Sequence, residues 1–371
     1  MRNVPQRAHA VRVAPFPARP VPASRSPRCP RIVAIGGGTG LPIVLRGLAD
    51  ALEDALGSDH HGRCSDALTA IVTVSDDGGS SGRLRRDLGM LPPGDIRNCL
   101  AALAANPALG RLLDYRFDGP TDLEGHPVGN LMLAAMARVT GSFASGVDEL
   151  GRLFGARGRV FPVTVEDVSL RAEMTNGEIV EGETSIVGHR AAIRRLALAR
   201  QVRPCPEALR ALINADAVVV GPGSLYTSVL PNLLVDGVAS TLSAVCGVRI
   251  AVANLMTQPG ETDGMSLTDH LRVLREHTGR DLFDYILVNA TPPTPAQIRS
   301  YRSDGADLIP CTVSPSLAGR ARIVMADLLD TTSDQIRHDS GKLASTILDI
   351  VRRASARQAH TRHLTVSSSP A

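Results

Sequence analysis

The 371-residue sequence contains no tryptophan, 3% aromatic residues and a single lysine, Lys342. Proteins that bind single-stranded nucleic acid stack bases on aromatic side chains, so this shortage argues against that class. The lysine lies outside every glycine-rich loop, which excludes a Walker A phosphate loop and disfavours Schiff-base chemistry. No apolar run approaches the length of a membrane-spanning helix. The composition is that of a soluble globular protein.

An excess of charge of one sign is also missing from most of the chain. The formal net charge is +3, and without the six arginines of residues 1–30, which contain no acid, the remainder carries −3. A nearly neutral body of this kind does not attract nucleic acid. We expect residues 1–30 to form a disordered, basic, proline-rich extension, or to precede the true start. A transit peptide is disfavoured because seven prolines would break its amphipathic helix.

Cysteines are few and scattered. None of the six lies within 30 residues of another, and no C-x-x-C pair occurs. This spacing argues against a zinc ribbon and against a small disulfide scaffold. A reducing compartment fits best, so the sequence predicts a cytoplasmic protein.

The pattern from Arg31 onward predicts an α/β fold. Apolar runs such as RIVAI and ALTAIVTVS end in glycine- or aspartate-rich turns and are followed by amphipathic helices. Strands joined by helices imply a Rossmann-like, mostly parallel sheet flanked by helices, with ligands at the carboxyl ends of its strands. We expect one such domain over residues 31–353. A final helix is expected from about Gly341 to Ala354, followed by a disordered tail at 354–371.

An antiparallel excursion is expected within this domain at about residues 160–190. The segment alternates apolar and polar residues around Asn176-Gly177, which is the strongest short hairpin signal.

A glycine cluster, GGGTGL at residues 36–41, follows the first apolar run. Such glycines turn backbone amides toward an anion at the positive end of a helix, which suits a phosphate, although a plain tight turn remains the alternative. The dinucleotide fingerprint would need glycine where leucine stands, and no acid follows at the required distance, so NAD is not expected. The candidate ligand-binding residues here are Gly37, Gly38, Thr39, Gly40 and Leu41.

The second apolar run ends in SDDGGSSGR, residues 75–83. Its aspartates suit a ribose hydroxyl or a Mg²⁺ that bridges phosphates, with an acidic turn as the alternative. Asp95, in PPGDIRN, is most simply a helix cap. If Asp95 and Asp76 converged, they would form a magnesium site. The ligand candidates of this run are Asp76, Asp77, Gly78 and Gly79.

Two later motifs offer further polar groups. In GHPVGN, His126 and Asn130 stand at the start of an apolar helix. A histidine at this position is about equally expected to donate a hydrogen bond to a phosphate or sugar and to have a purely structural role. The strand-like AVVV is followed by Gly221, Gly223 and Ser224, a second candidate anion cradle whose alternative is a turn with Ser224 as helix cap.

Two other polar segments have simpler structural explanations. The loop at residues 257–266, which contains Glu261, is expected to be solvated, although it could complete a sugar or base pocket. His338 and Asp339 precede the final helix, where capping explains them.

Six motifs taken together are distinctive: GGGTGL, TVSDDGGSSGRLR, PPGDIRNCLAALA, GHPVGNLMLAA, GPGSLYTSVLPNLLV and NLMTQPGETDG. They resemble the YvcK group of the CofD-like proteins over roughly residues 31–353. The resemblance implies a Rossmann-like fold that binds UDP-sugars, notably UDP-N-acetylglucosamine and UDP-glucose, and supports cell shape and wall synthesis during gluconeogenic growth. It adds Asn98 to the ligand candidates.

Three functional hypotheses follow. The first is a cytoplasmic sugar-nucleotide sensor, a gluconeogenesis factor that needs no catalytic turnover and acts on a protein partner of unknown identity. The formation of homo-oligomers is left open. The second is a magnesium-dependent transferase of the CofD branch, which moves phospholactate from a guanosine diphosphate donor to a deazaflavin. GGGTGLP and SDDGGSSGRLR follow the YvcK pattern, which favours the first. The third is an NAD enzyme, and the sequence lacks the dinucleotide-binding fingerprint that this hypothesis requires.

Overall fold

The computed structural model describes residues 29–56, 66–189, 191–313 and 319–366, so most of the expected extension at 1–30 lies outside the described residues. Ten strands are numbered in chain order: β1 (Ile32–Gly36), β2 (Leu68–Val72), β3 (Arg159–Pro162), β4 (Leu170–Met174), β5 (Ile179–Glu181), β6 (Ile193–Leu198), β7 (Ala217–Val220), β8 (Val248–Val252), β9 (Tyr285–Asn289) and β10 (Arg322–Ala326).

The helices connect these strands and are numbered in the same way. They are α1 (Gly40–Leu56), α2 (Gly79–Leu88), α3 (Gly94–Leu103), α4 (Pro107–Asp114), α5 (Val128–Thr140), α6 (Phe143–Leu153), α7 (Glu183–Val187), α8 (Pro206–Ile213), α9 (Leu230–Leu234), α10 (Val238–Ala244), α11 (Leu267–Thr278), α12 (Pro295–Ser303) and α13 (Ser340–Val366), and a π-helical turn (Leu225–Val229) precedes α9. No helix in these described ranges is long and apolar enough to cross a membrane.

The main sheet confirms the predicted α/β class. Its seven strands run parallel in the order β10-β9-β8-β7-β1-β2-β3. Every residue of β1 is buried because helices cover both faces, which explains the continuous apolar run in the sequence. From β1 the chain moves toward β2 on one side, while β7 pairs on the other. The carboxyl ends of β1 and β7 therefore flank the point where the strand order reverses, where such folds bind ligands.

The two faces of the sheet carry separate cores. Ile32 and Ala34 pack on one face with helices α1, α3 and α13, whereas Val33 and Ile35 pack on the other with α8, α10 and α11. Each fully buried aliphatic side chain in such a core contributes roughly 1.5–3 kcal/mol. The strand ends, and hence the loops that follow them, are thus held on a rigid frame.

The antiparallel excursion is also confirmed. Strands β5, β4 and β6 form a separate small sheet, and the turn at Asn176-Gly177 joins β4 to β5. Gly177 has a φ of 88°, which explains why glycine stands there. Helix α7 follows β5 and lies at the carboxyl edge of the main sheet.

The tail differs from the expectation. Helix α13 continues to Val366, beyond the end expected at about Ala354 and into the segment expected to be a disordered tail. Neither glycine nor proline occurs between Ala354 and Val366, and alanine, arginine and glutamine there favour a helix. Residues 367–371 lie outside the described part of the chain.

Candidate functional site

The two glycine loops meet at the carboxyl edge of the sheet. The first joins β1 to α1 and the second joins β7 to the π-helical turn. A Cβ atom on Gly40 would collide with the carbonyl oxygen of Pro222, and one on Gly223 would lie 3.6 Å from the carbonyl oxygen of Gly37. The backbones of the loops are therefore in direct contact, and only glycine permits this approach.

Two amides of these loops donate to side chains of the protein. The N–H of Gly38, a residue with a φ of 61°, donates to Asp95 Oδ2 at 2.8 Å. The N–H of Gly223 donates to Asn254 Oδ1 at 2.9 Å, and the amide group of Asn254 donates back to the Gly223 carbonyl at 2.7 Å. An anion that used either amide would have to displace the side chain now bonded to it.

The capping prediction for Asp95 is wrong, and the capping alternative considered for Ser224 is not seen. Pro93 is the N-cap of α3, whereas Asp95 lies in the first turn and turns its carboxylate to the first glycine loop. Ser224 makes no capping bond, and its hydroxyl donates to Glu261 instead. Local rules favoured capping because both residue types cap helices, but contacts with distant segments decide here.

Several carboxylates crowd together near this edge. Burial raises the pKa of Asp95 to about 6, with Asp76 adding to the effect. Burial also raises the pKa of Glu183, at the start of α7, to about 9, and Asp76, Asp95 and Glu261 contribute by repulsion. Like charges in a buried site favour the protonated forms. A divalent cation would relieve this repulsion.

The residues fit a divalent cation only in part. Within the described ranges, no three Asp, Glu, His or Cys side chains are arranged to hold a metal ion. Magnesium commonly binds one or two carboxylates and takes its remaining ligands from water and substrate phosphates. Asp76 and Asp95, whose charges interact, suit that mode.

The second aspartate of the SDDGG run has a structural contact. Asp77 Oδ1 accepts hydrogen bonds from the N–H and hydroxyl of Thr184 at 2.9 and 2.6 Å. A Cβ atom on Gly182 would lie 2.5 Å from Asp77 Oδ2. Asp77 thus holds α7 against the loop. Asp76 accepts a hydrogen bond from the N–H of Gly78 at 2.9 Å in a tight turn, which is the acidic turn considered from the sequence as the structural alternative. Gly79, the first residue of α2, has open space around it.

His126 and Asn130 form one buried network through Ser80. The Ser80 hydroxyl lies 2.8 Å from His126 Nδ1 and accepts from the Asn130 amide at 3.0 Å. Burial and the neighbouring Arg83 lower the pKa of His126. Asn130 Oδ1 is buried and has no hydrogen-bond partner among the described residues. The network ties the start of α2 to the start of α5.

A cleft of about 630 Å³ opens beside the first glycine loop, between α1, α3 and α4. Thr39 and Asn98, both predicted from the sequence, line it, together with three arginines that the sequence analysis missed: Arg46, Arg111 and Arg337. None of the three forms an ion pair with a described residue.

The acids of this cleft are already paired. Arg157 lies 2.6 Å from Asp50, and Arg97 lies 3.7 Å from Asp114. The three arginines therefore leave uncompensated positive charge around Thr39, which suits an anionic ligand.

The loop at 257–266 differs from the expectation of a solvated segment. Glu261 is 7% exposed and Thr262 is 1% exposed, so the loop is not solvated there. A Cβ atom on Gly260 would collide with the carbonyl oxygen of Val187, which shows how closely α7 covers this loop. The capping expectation near α13 is confirmed for Asp339, because its Oδ1 accepts from the N–H of Lys342 at 2.8 Å. It is wrong for His338, which is 7% exposed and whose Nε2 has no hydrogen-bond partner among the described residues.

A second cleft, of about 840 Å³, lies at the opposite edge of the sheet. Arg31, Thr69, Arg159 and Asn214 line it, at or near the beginnings of strands. Ligands of open α/β sheets bind at the carboxyl ends of the strands, so volume alone does not make this cleft the functional site.

Comparison with known proteins supports one family. The sequence profile of the family described as “2-phospho-L-lactate transferase CofD” matches residues 32–329. The “Gluconeogenesis factor” of Bacillus subtilis (strain 168) is 40% identical over 325 residues, which cover 87% of this chain and 98% of that protein. The “Gluconeogenesis factor” of Halalkalibacterium halodurans is 39% identical over 327 residues, covering 88% and 98%. A crystal structure of a UPF0052 family protein from Bacillus halodurans superposes with a TM-score of 0.78 at 39% identity, covering 86% and 99%.

Proposed function

Because the chain belongs to the CofD family, in its YvcK group of gluconeogenesis factors, we propose that it is a regulatory protein that binds a UDP-linked sugar at the carboxyl edge of the sheet. UDP-N-acetylglucosamine and UDP-glucose are the ligands the family resemblance suggests. The observation that carries the proposal is the direct contact between the two glycine loops, beside a cleft with uncompensated arginines.

The diphosphate of such a ligand lies along the first glycine loop. Thr39 offers its hydroxyl, and Arg46 and Arg337 offer guanidinium groups that pair with phosphate oxygens. Asn98 lines the same cleft and offers an amide for the sugar or base. The nucleotide then crosses the reversal point of the sheet, as nucleotides do in related folds.

A divalent cation would be held by Asp76 and Asp95 together with the ligand's phosphate oxygens. When bound, Mg²⁺ neutralises phosphate charge and the crowded carboxylates. The Asp95 carboxylate then leaves the N–H of Gly38, which becomes free to donate to phosphate.

The bound sugar nucleotide acts as a signal and is not consumed. Its occupancy biases the protein between states that differ in affinity for a protein partner, in the cytoplasm, and thereby adjusts cell shape and wall synthesis during gluconeogenic growth. A serine and a histidine that could serve as nucleophile and base, Ser80 and His126, lie side by side in the described part of the site. Both are more than nine-tenths buried, and they connect α2 to α5.

Calorimetric titration of the purified protein tests the proposal. We expect saturable binding of UDP-N-acetylglucosamine or UDP-glucose that strengthens with Mg²⁺, and no hydrolysis or transfer product on mass analysis of the mixture. Absence of heat at millimolar concentrations of both ligands, with and without Mg²⁺, would refute it.

The second candidate is a magnesium-dependent phospholactate transferase. Two features favour it: the description of the matching family and the crowding of Asp95 and Glu183 with Asp76, whose mutual repulsion a cation would relieve. Incubation with the guanosine diphosphate donor and the deazaflavin, followed by mass analysis, separates the candidates. Product formed at many turnovers per protein favours the transferase, and its absence favours the sensor.

A further inference from the structure

The small antiparallel sheet has an edge strand whose outer backbone groups are available for pairing. Its strand order is β5-β4-β6, so β5 lies at one edge. In an antiparallel ladder, the backbone groups of alternate residues point toward the neighbouring strand, and those of the residues between them point away. The N–H of Gly182 donates to the carbonyl oxygen of Leu170, in β4, at 2.9 Å. The alternation therefore directs the N–H and C=O groups of Ile179 and Glu181 away from β4.

The opposite edge of the same sheet is covered. The N–H of Leu196, in β6, donates to Nε2 of His277 at 2.9 Å, and Nδ1 of that ring lies 2.7 Å from the carbonyl oxygen of Val273 in α11. On β5, by contrast, no described residue forms a hydrogen bond with the outward groups of Ile179 and Glu181. The β5 edge thus presents two donors and two acceptors that a further strand can use.

The side chains along this edge are apolar at one position and acidic at others. Ile179 is 50% exposed, and it shares the outer face of the sheet with Glu181 because alternate residues of a strand lie on one face. The ion pair between Glu181 and Arg171 is long, at 3.8 Å, and both side chains are exposed. Residues 175–187 include three glutamates and no lysine or arginine. The edge therefore combines an exposed isoleucine with negative charge.

The same strand leads directly into the candidate ligand site. Gly182 follows β5 with a φ of 91°, and α7 begins at the next residue, Glu183. A Cβ atom on Gly182 would lie 2.5 Å from Asp77 Oδ2, and Asp77 Oδ1 accepts two hydrogen bonds from Thr184. Asp76 and the neighbouring carboxylates repel Glu183. A cation or ligand that binds these carboxylates acts on the chain two residues from the open edge.

We propose that the protein partner adds an extended segment to β5 as an antiparallel strand, and that this segment carries a basic residue two positions before a β-branched apolar residue. Such a strand forms four backbone hydrogen bonds with Ile179 and Glu181. Its apolar residue covers Ile179, and its basic residue pairs with Glu181. A second copy of this chain does not fit, because it would bring two acidic strands together.

This inference rests on the proposed function for its regulation. When the sugar nucleotide and the cation bind beside α7, they change the position of the chain from Gly182 to Glu183. The position of β5 changes with it, and so does the affinity for the added strand. Because such coupling is reciprocal, the partner segment changes the affinity for the ligand by the same factor.

The probe is a capped peptide with the central sequence arginine, valine, isoleucine. In the full chain without ligand, millimolar peptide is expected to slow hydrogen exchange at the amides of Ile179 and Glu181 by about 3-fold or more, measured by NMR. Methylation of the peptide nitrogens of arginine and isoleucine, which donate to β5, is expected to abolish this protection. Methylation of the valine nitrogen, which points away from β5, is the matched control and is expected to preserve it.

Variants of the protein test the same edge. Ile179→Pro removes an outward N–H and leaves the bonds to β4 in place, so it is expected to abolish peptide binding in a folded protein. Ile179→Thr keeps the N–H and is expected to retain binding. The N–H of Arg322 in β10 donates to the carbonyl oxygen of Asp284, so that of Met325 points away from β9. Met325→Pro, at this second edge, is the control and is expected to leave binding unchanged.

Three results overturn the inference. They are unchanged exchange with millimolar peptide, equal protection by the two methylated peptides, and a dimer of the chain that Ile179→Pro dissociates, which assigns the edge to a second copy. UDP-N-acetylglucosamine with Mg²⁺ is expected to change the Kd of the peptide by about 3-fold or more. An unchanged Kd with ligand bound overturns the regulatory link. Failure of the ligand to bind overturns the proposed function, whereas peptide binding is measured without the ligand, so the two failures are distinguishable.

Discussion

Asp95 Oδ2 accepts a hydrogen bond from the backbone N–H of Gly38 at 2.8 Å, so a carboxylate occupies an amide that a phosphate would use. A Cβ atom on Gly37 would also lie 2.5 Å from the same oxygen, which shows how closely α3 approaches the loop. The free protein thus holds a negative group where the ligand's negative group is proposed to bind. Cation binding and ligand binding are therefore expected to be coupled.

Asp95→Asn tests this coupling. Without Mg²⁺ the variant is expected to bind UDP-sugar more tightly than the wild type, by roughly 3- to 10-fold, because a charge facing the phosphate is removed. With Mg²⁺ the variant is expected to gain little further affinity, because one of the two carboxylates proposed to hold the cation is lost. Titrations with and without Mg²⁺ measure both effects, and Asp349→Asn on the exposed part of α13 is the control. Equal Mg²⁺ dependence in variant and wild type would contradict the coupling.

The pKa of Glu183 predicts a loss of stability at high pH. Because the folded protein raises this pKa from 4.5 to about 9, the protonated carboxyl stabilises the fold fully below pH 4.5, and this contribution is lost as the pH rises through about 9. At pH 8, Glu183→Gln is expected to raise the free energy of unfolding by roughly 1–3 kcal/mol, with little effect at pH 4. Denaturant unfolding across this pH range measures the difference.

Glu181→Gln, two residues earlier and exposed, is the control for that series. It is expected to show no such pH dependence. The same pH profile for both variants would mean that Glu183 is not in a crowded, buried environment.

Gly40→Ala tests the contact between the loops. Its Cβ would collide with the carbonyl oxygen of Pro222, so the loops must separate, which is expected to cost roughly 1–3 kcal/mol of stability and to weaken ligand binding more than 10-fold. Gly341→Ala in α13, where a Cβ meets only ordinary contacts, is the control. Thermal unfolding and calorimetry measure the two effects. Normal affinity in a folded Gly40→Ala protein would place the ligand elsewhere.

Arg46 and Arg337 are expected to supply charge to the ligand. Replacing either with glutamine should weaken UDP-sugar binding by roughly 10-fold, and the loss should shrink as salt concentration rises. Arg138→Gln, on the exposed side of α5, is the control. Calorimetry at several salt concentrations gives the measurement. Unchanged affinity in both variants would remove the 630 Å³ cleft from the site.

Much of the fold could be predicted because its signals are local. The run RIVAI before GGGTGL marks a buried strand and its turn, and Asn176-Gly177 marks a hairpin. The parallel direction of the strands then follows from the alternation of strands and helices. The end of α13 could not be placed, because no residue there forbids either a helix or a frayed tail.

The positions of the two glycine loops could be predicted from the sequence, whereas the side chains that surround them could not. The neighbours of Asp95 in sequence predict a helix cap, whereas its hydrogen-bond partner, Gly38, lies 57 positions away. Arg46 and Arg337 carry no motif and come together only because α1 packs near the segment that precedes α13. Glu261 is buried, and its neighbour Gly260 packs against α7 of the antiparallel excursion, a contact that no local pattern indicates.

The most direct measurement is a crystal structure of the full chain with UDP-N-acetylglucosamine and Mg²⁺. The account predicts the diphosphate within hydrogen-bond distance of the amides of residues 37–40, with the carboxylate of Asp95 moved away from Gly38. A diphosphate bound in the 840 Å³ cleft at the opposite edge of the sheet, with Asp95 still bonded to Gly38, would contradict it.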